Sequence, residues 1–68
     1  MKNKVRELRL KKNMSQSILA QKSDISRQTL SLIEQNNSNP SILIAKKISN
    51  ILSEKIEDIF TLEEKDYR

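Results

Sequence analysis

The sequence predicts an all-α domain built from five short helices. Five segments carry apolar residues at helical spacing, and a Ser or Asn that can cap a helix precedes three of them. Strand propensity is low everywhere except at residues 60–62, which favours a short extended segment near the C-terminus. With 68 residues, the chain is expected to be one domain covering 1–68, with a polar tail at about 61–68.

A short break separates the first two predicted helices. The first helix is predicted at about residues 4–12, because Val5 and Leu8 share one face. Ser15 is expected to be the next N-cap, since its hydroxyl can accept a hydrogen bond from a free amide of the following turn. The second helix is then predicted at about residues 16–22.

The third helix is predicted at about residues 27–35, with Ser26 as its N-cap. Leu30 and Ile33 are spaced three residues apart and are expected to face inward. The opposite face begins with the polar residues Arg27 and Gln28, so this helix should be amphipathic with a polar outer side.

A polar loop at residues 36–40 precedes the last two helices. Either Asn39 caps the fourth helix, with Pro40 in the first turn, or Ser41 caps it. This helix is predicted to end at about residue 52. A short fifth helix is predicted at about residues 56–60.

The composition excludes most kinds of catalytic and cofactor site. The chain has no Cys, no His and no Gly, and aromatic residues make up 3%. The commonest metal ligands and general base are thus missing, as are Gly-rich phosphate loops. We therefore expect no enzyme, no catalytic residues, no metal and no cofactor.

Nothing in the sequence predicts export or membrane insertion. No apolar run approaches the ~18–20 residues that span a bilayer. The basic N-terminal segment is not followed by the apolar core of a signal peptide. We therefore expect a cytoplasmic protein with no membrane partner and no evident small-molecule ligand.

Charge is distributed unevenly along the chain. Residues 1–22 carry a net charge of +6, residues 23–53 carry +1, and residues 54–68 carry −3. This asymmetry favours a polyanionic partner on one side of the molecule. The alternative is that the charges serve only solubility.

The second and third predicted helices have the spacing of a helix-turn-helix. Ala20 is small enough for a close crossing of the two helices, and Ile25 places an apolar side chain in the turn. Arg27 and Gln28 lie at the outer N-terminal end of the third helix. That end is the part of a recognition helix that meets base edges in the major groove.

Three stretches carry a resemblance to a known family: SQSILAQKSDISRQTLSLIEQ, NPSILIAKKISNIL and IEDIF. In order and spacing, they resemble the lambda-repressor-like (Cro-type) family of helix-turn-helix transcriptional regulators. The resemblance covers about residues 5–60, with the helix-turn-helix at about 16–35. It implies a compact five-helix DNA-binding domain. Asp24 and Asn36 replace two glycines that are usual in the family.

The resemblance also implies roles for individual residues. Arg9 and Glu34 match a buried ion pair between the first and third helices. Asn37 or Ser38 stands where the family usually has a basic loop residue. The implied DNA-contacting residues are Gln16, Ser26, Arg27, Gln28, Thr29, Ser31, Leu32, Asn36 and Asn37.

The function expected from the sequence is sequence-specific binding of double-stranded DNA by a transcriptional regulator. The expected mechanism is repression by a homodimer on an inverted-repeat operator, since one helix in one groove gives little contact surface. The alternative is an antitoxin-like or protein-interaction module on the same scaffold. Ile59, Phe60 and Leu62 are the candidate dimer contacts; otherwise they cap the helical bundle.

Overall fold

The computed structural model describes residues 1–67, and within them it contains the five helices in the predicted order. A two-stranded sheet and a terminal 3-10 helix accompany them. The all-α fold class is thereby confirmed. The elements are β1 Lys2–Asn3, α1 Val5–Lys11, α2 Gln16–Lys22, α3 Arg27–Glu34, α4 Ile42–Leu52, α5 Ile56–Ile59, β2 Phe60–Thr61 and the 3-10 helix Glu64–Tyr67.

Three serine hydroxyls cap the N-termini of α2, α3 and α4. The Oγ atoms of Ser15, Ser26 and Ser41 each accept a hydrogen bond from the backbone N–H three residues later, at 3.1, 3.0 and 3.2 Å. These bonds satisfy amides that have no partner inside the helix. Of the two alternatives for α4, Ser41 is the cap, and Pro40 lies before the helix.

Four helices end at a residue in the left-handed region, and none of these residues is glycine. The φ angles are 57° at Asn13, 56° at Asp24, 61° at Asn36 and 57° at Ser53. Ile25 and Asn37 directly follow Asp24 and Asn36. Their backbone N–H groups donate to the carbonyls five residues earlier, at 3.0 and 2.9 Å. Asp24 and Asn36 thus adopt the turn conformation that glycine usually supplies.

One continuous apolar core lies between the helices and includes one side chain from the sheet. Each α-helix contributes at least one buried residue, and Ala20 of α2 is among them. Val5 anchors α1 in this core. The buried apolar residues are Val5, Leu19, Ala20, Leu30, Ile33, Ala45, Ile48, Leu52, Ile59 and Phe60.

The two strands join the beginning of the chain to its end. They pair antiparallel, with Lys2 opposite Thr61 and Asn3 opposite Phe60. The N–H of Lys4 continues the contact by donating to the carbonyl of Ile59 at 2.9 Å. The predicted extended segment is therefore present, and it forms because β1 provides its hydrogen-bond partners.

The predicted dimer role of Ile59 and Phe60 is corrected by their burial. Ile59 is 0% exposed and Phe60 is 8% exposed, and both belong to the core. α5 also ends one residue before the predicted end, because Phe60 turns into β2 and packs against the core. Among the three dimer candidates, Leu62 alone is exposed, at 55%.

Replacing Ser23 by Ala is expected to raise the free energy of unfolding by about 1 kcal/mol. Ser23 is 1% exposed, and its Oγ has no hydrogen-bond partner within the described part of the chain. Alanine removes this buried hydroxyl and leaves the rest of the site unchanged. Thermal unfolding measures the effect, and the exposed loop variant Ser38→Ala is the control. An unchanged or lower unfolding temperature for Ser23→Ala would contradict the expectation.

Candidate nucleic-acid interface

The helix-turn-helix of α2 and α3 presents a polar outer face. Ala20 of α2 is buried in the core, and Ile25 is half-buried in the turn between the two helices. Leu30 and Ile33 hold the inner side of α3 in the core. The outer side of α3 therefore exposes Arg27, Gln28 and Leu32 together.

The start of α2 lies beside this outer face. Gln16 joins Arg27, Gln28 and Ser31 in lining one shallow depression. The structure thus brings together four of the residues that the resemblance implies for DNA contact. Their side chains offer amide, guanidinium and hydroxyl groups, which are the groups that bind base edges and phosphates.

A neighbouring depression adds three residues that the sequence did not single out, Arg6, Ser17 and Gln35. Arg6 of α1 and Ser17 of α2 line it together with Gln16 and Arg27. Arg6 is one of seven basic residues in the first 22. The sequence does not distinguish Arg6 from the other basic residues, because only the packing of α1 against the other helices places it in this depression.

A buried ion pair between Arg9 and Glu34 forms part of the wall of this neighbouring depression. Arg9 Nε lies 2.9 Å from Glu34 Oε2, and the Nη2 atom of the same arginine donates to Oε1 at 3.1 Å. The side chains are 8% and 3% exposed. The remaining Arg9 nitrogen, Nη1, donates to the carbonyl of Met14 at 2.8 Å. The pair predicted from the sequence is therefore present, and it ties α1 to the end of α3.

The same carboxylate orients Gln16. Gln16 Nε2 donates to Glu34 Oε1 at 3.2 Å. A carboxylate only accepts hydrogen bonds, so the NH2 end of the amide must face inward. The carbonyl oxygen and the second N–H of Gln16 remain available to a ligand in the depression that it lines with Arg27 and Gln28.

Three other predicted contact residues already bond to neighbours in the chain. Ser26 Oγ donates to Thr29 Oγ1 at 2.8 Å and caps α3 through the Thr29 N–H. Ser31 Oγ accepts from Gln35 Nε2 at 3.0 Å. Their contacts with phosphate stay predictions, and they would add to these bonds.

The loop after α3 is held by the first strand. Asn3 Nδ2 donates to the carbonyl of Ile33 at 2.8 Å and to Asn36 Oδ1 at 2.9 Å. Asn37 Nδ2 donates to Gln35 Oε1 at 3.2 Å. Asn36 and Asn37 are both exposed, so the loop offers polar groups from a fixed position.

Acidic residues are distributed in a way that suits an anionic ligand. The first turns of α2, α3 and α4 contain no acidic residue, whereas Glu7 lies in the first turn of α1. Helix N-termini attract anions, and a carboxylate there would repel phosphate. The two helices of the motif, α2 and α3, therefore have first turns without a carboxylate that would repel a DNA backbone.

Two further features concern other kinds of site. Residues 1–67 contain no helix that is long and apolar enough to cross a membrane. The same residues contain no cluster of acidic side chains that could hold a metal ion.

Comparison with known proteins agrees with this geometry. A helix-turn-helix family model matches residues 5–59. The uncharacterized HTH-type transcriptional regulator YgzD of Bacillus subtilis is 46% identical, with 97% of this chain and 100% of that protein covered. An uncharacterized HTH-type transcriptional regulator of Methanocaldococcus jannaschii, MJ0272, is 44% identical, with 94% and 97% covered.

A solved structure gives the same result for the fold. The N-terminal DNA-binding domain of SinR from Bacillus subtilis superposes with a TM-score of 0.74 at 35% identity, and 78% of each chain is covered. The two relatives are transcriptional regulators and the SinR domain binds DNA, which agrees with the expectation that this chain is a regulator and not an enzyme. The chain belongs to the helix-turn-helix family of DNA-binding transcriptional regulators.

Proposed function

We propose that this protein is a sequence-specific repressor that binds an inverted-repeat operator as a homodimer. The observation that carries the proposal is the single depression that Gln16 of α2 lines together with Arg27 and Gln28 of α3. A regulator of this kind works where the chromosome lies, which in bacteria and archaea is the cytoplasm. Occupying the promoter is the simplest action available to such a domain.

Base recognition is assigned to the outer face of α3. Arg27 can donate two hydrogen bonds to guanine, and Gln28 can bind adenine through both ends of its amide. Leu32, which is exposed one turn later, suits contact with a thymine methyl group. Gln16 lies beside this face, and Asn36 and Asn37 belong to the loop that follows α3; all three are assigned to the phosphates.

A second copy of the chain is proposed because one recognition helix gives too small an interface. Specific protein–DNA interfaces bury ~1,000–2,500 Å² of protein surface, and a twofold axis doubles the contacts. With Ile59 and Phe60 in the core, the exposed apolar candidates for the dimer contact are Leu62 and the face of α4 that carries Leu43.

Selection of bound duplexes from a random pool tests this proposal. At physiological salt we expect enrichment of an inverted repeat, and sedimentation should show two chains on each selected duplex. A variant with Arg27→Ala and Gln28→Ala is the control and should lose the enrichment. Failure of the unmodified chain to enrich any sequence would favour the protein-interaction alternative.

Inserting five base pairs between the two half-sites is expected to abolish cooperative binding. A symmetric dimer places its recognition helices in major grooves about 34 Å apart, which is one turn of the duplex. Half a turn more rotates the second groove to the far side. Band-shift titrations compare this site with the unmodified operator, and a duplex with a single half-site gives the affinity that remains without cooperativity. Equal affinity for the original and the five-base-pair site would exclude a rigid symmetric dimer.

A further inference from the structure

The C-terminal 3-10 helix lies beside the loop that follows α3. Lys65 and Asp66 line one depression together with Met1 and all four residues of the loop 36–39. The β1–β2 pairing explains this proximity. Asn3 is bonded to Asn36 on one side and paired with Phe60 on the other, so the sheet connects the loop to the end of the chain.

Asp66 fixes the position of the 3-10 helix. Its Oδ2 accepts from the backbone N–H of Glu63 at 2.7 Å, and its Oδ1 accepts from the α-ammonium of Met1 at 2.9 Å. The hydrogen bond from Glu63 and the Met1 ammonium both hold the pKa of Asp66 below its usual value. Asp66 therefore stays ionised at neutral pH, and the helix is held where Lys65 borders the loop.

Lys65 carries a cation that is loosely held inside the protein. Its side chain is 65% exposed, and its Nζ lies 3.9 Å from Glu63 Oε1. The same Glu63 oxygen lies nearer to the Met1 ammonium, at 3.3 Å. The Met1 charge thus balances part of the negative charge of Glu63 and Asp66, and the Lys65 ammonium can turn towards the loop.

The loop lacks a cation of its own. Residues 36–39 are Asn, Asn, Ser and Asn, and their amides and hydroxyl can bind phosphate only as neutral donors. A neutral donor does not displace a counterion from DNA, whereas a lysine does.

We propose that Lys65 supplies the cation for a phosphate-binding site that it shares with loop 36–39. This inference rests on the proposed function and adds the C-terminal segment to the DNA interface. In the complex, the Lys65 ammonium binds the same backbone phosphate that the loop amides approach. The contact is independent of sequence, so it sets affinity and register without contributing to base preference.

The salt dependence of DNA binding by Lys65→Gln tests the inference. The slope of log K against log salt is negative, and each lysine that no longer binds a phosphate makes it shallower by about 0.9. We expect that change for every copy bound. The matched control is Lys55→Gln, which makes the same charge change at the start of α5. This control should keep the slope of the unmodified protein. Ethylation interference should lose one phosphate in each half-site with Lys65→Gln.

Two results would overturn the inference. One is an unchanged slope for Lys65→Gln, and the other is an equal decrease for both variants, which would reflect net charge alone. Both changes are at exposed positions, and circular dichroism checks that each variant is folded. If the unmodified chain shows no salt-dependent binding to duplex DNA, the proposed function fails, and the inference fails with it.

Discussion

Glu34→Ala is expected to lower the free energy of unfolding by about 3–5 kcal/mol. The substitution leaves the Arg9 guanidinium buried with only the Met14 carbonyl as a partner. An uncompensated buried charge is far more costly than the loss of a surface ion pair. For a domain that unfolds with a net stability of about 5–15 kcal/mol, a loss of this size removes much of the total.

Urea unfolding of three variants measures this effect and its cause. The control Glu54→Ala removes an exposed carboxylate and should change stability by less than about 0.5 kcal/mol. The double variant Arg9→Met with Glu34→Leu removes both charges and should recover most of the loss. A single-variant loss as small as that of the control would mean that water reaches the pair in solution.

Gln28→Ala is expected to weaken binding to the preferred operator by about 1–3 kcal/mol and to relax the preference at one base pair. Gln28 is exposed at the outer N-terminal end of α3, where its amide can bind a base edge without distorting the helix. A repeat of the duplex selection with this variant identifies the relaxed position.

The matched control for this experiment is Gln21→Ala. Gln21 is also an exposed glutamine, and it does not line the depression of Gln16, Arg27 and Gln28, so its loss should leave both affinity and preference unchanged. If Gln28→Ala weakens binding to every duplex by the same factor, Gln28 contacts the backbone and another residue recognises the base.

The sequence predicted the motif well because its signals are local. The bounds of α2 and the caps Ser15 and Ser26 follow from residues within one or two turns of each other. The Arg9–Glu34 ion pair could be predicted for another reason. It came from the family resemblance, since no local rule relates residues that are 25 positions apart.

The sheet and its consequences could not be predicted in the same way. Strands of two residues have no periodicity, and β1 is separated from β2 by almost the whole chain. Without that pairing, Phe60 looked like a free apolar residue near the end and was placed at the dimer contact. The positions of Arg6 and Lys65 beside the predicted DNA-contacting residues were missed because both depend on tertiary packing.

The left-handed helix ends have a consequence for the evolution of binding specificity. Residues with a Cβ pay an energetic penalty in this conformation that glycine avoids, most of all at Ser53, which lacks the amide or carboxylate of Asn and Asp. The chain therefore holds an unused reserve of stability at Ser53, which ends α4 and is not among the predicted DNA-contacting residues. A change of Ser53 to glycine would release it and offset destabilising substitutions on α3. Substitutions on the outer face of α3 that lower stability could then accumulate without bringing the fold to its limit of stability.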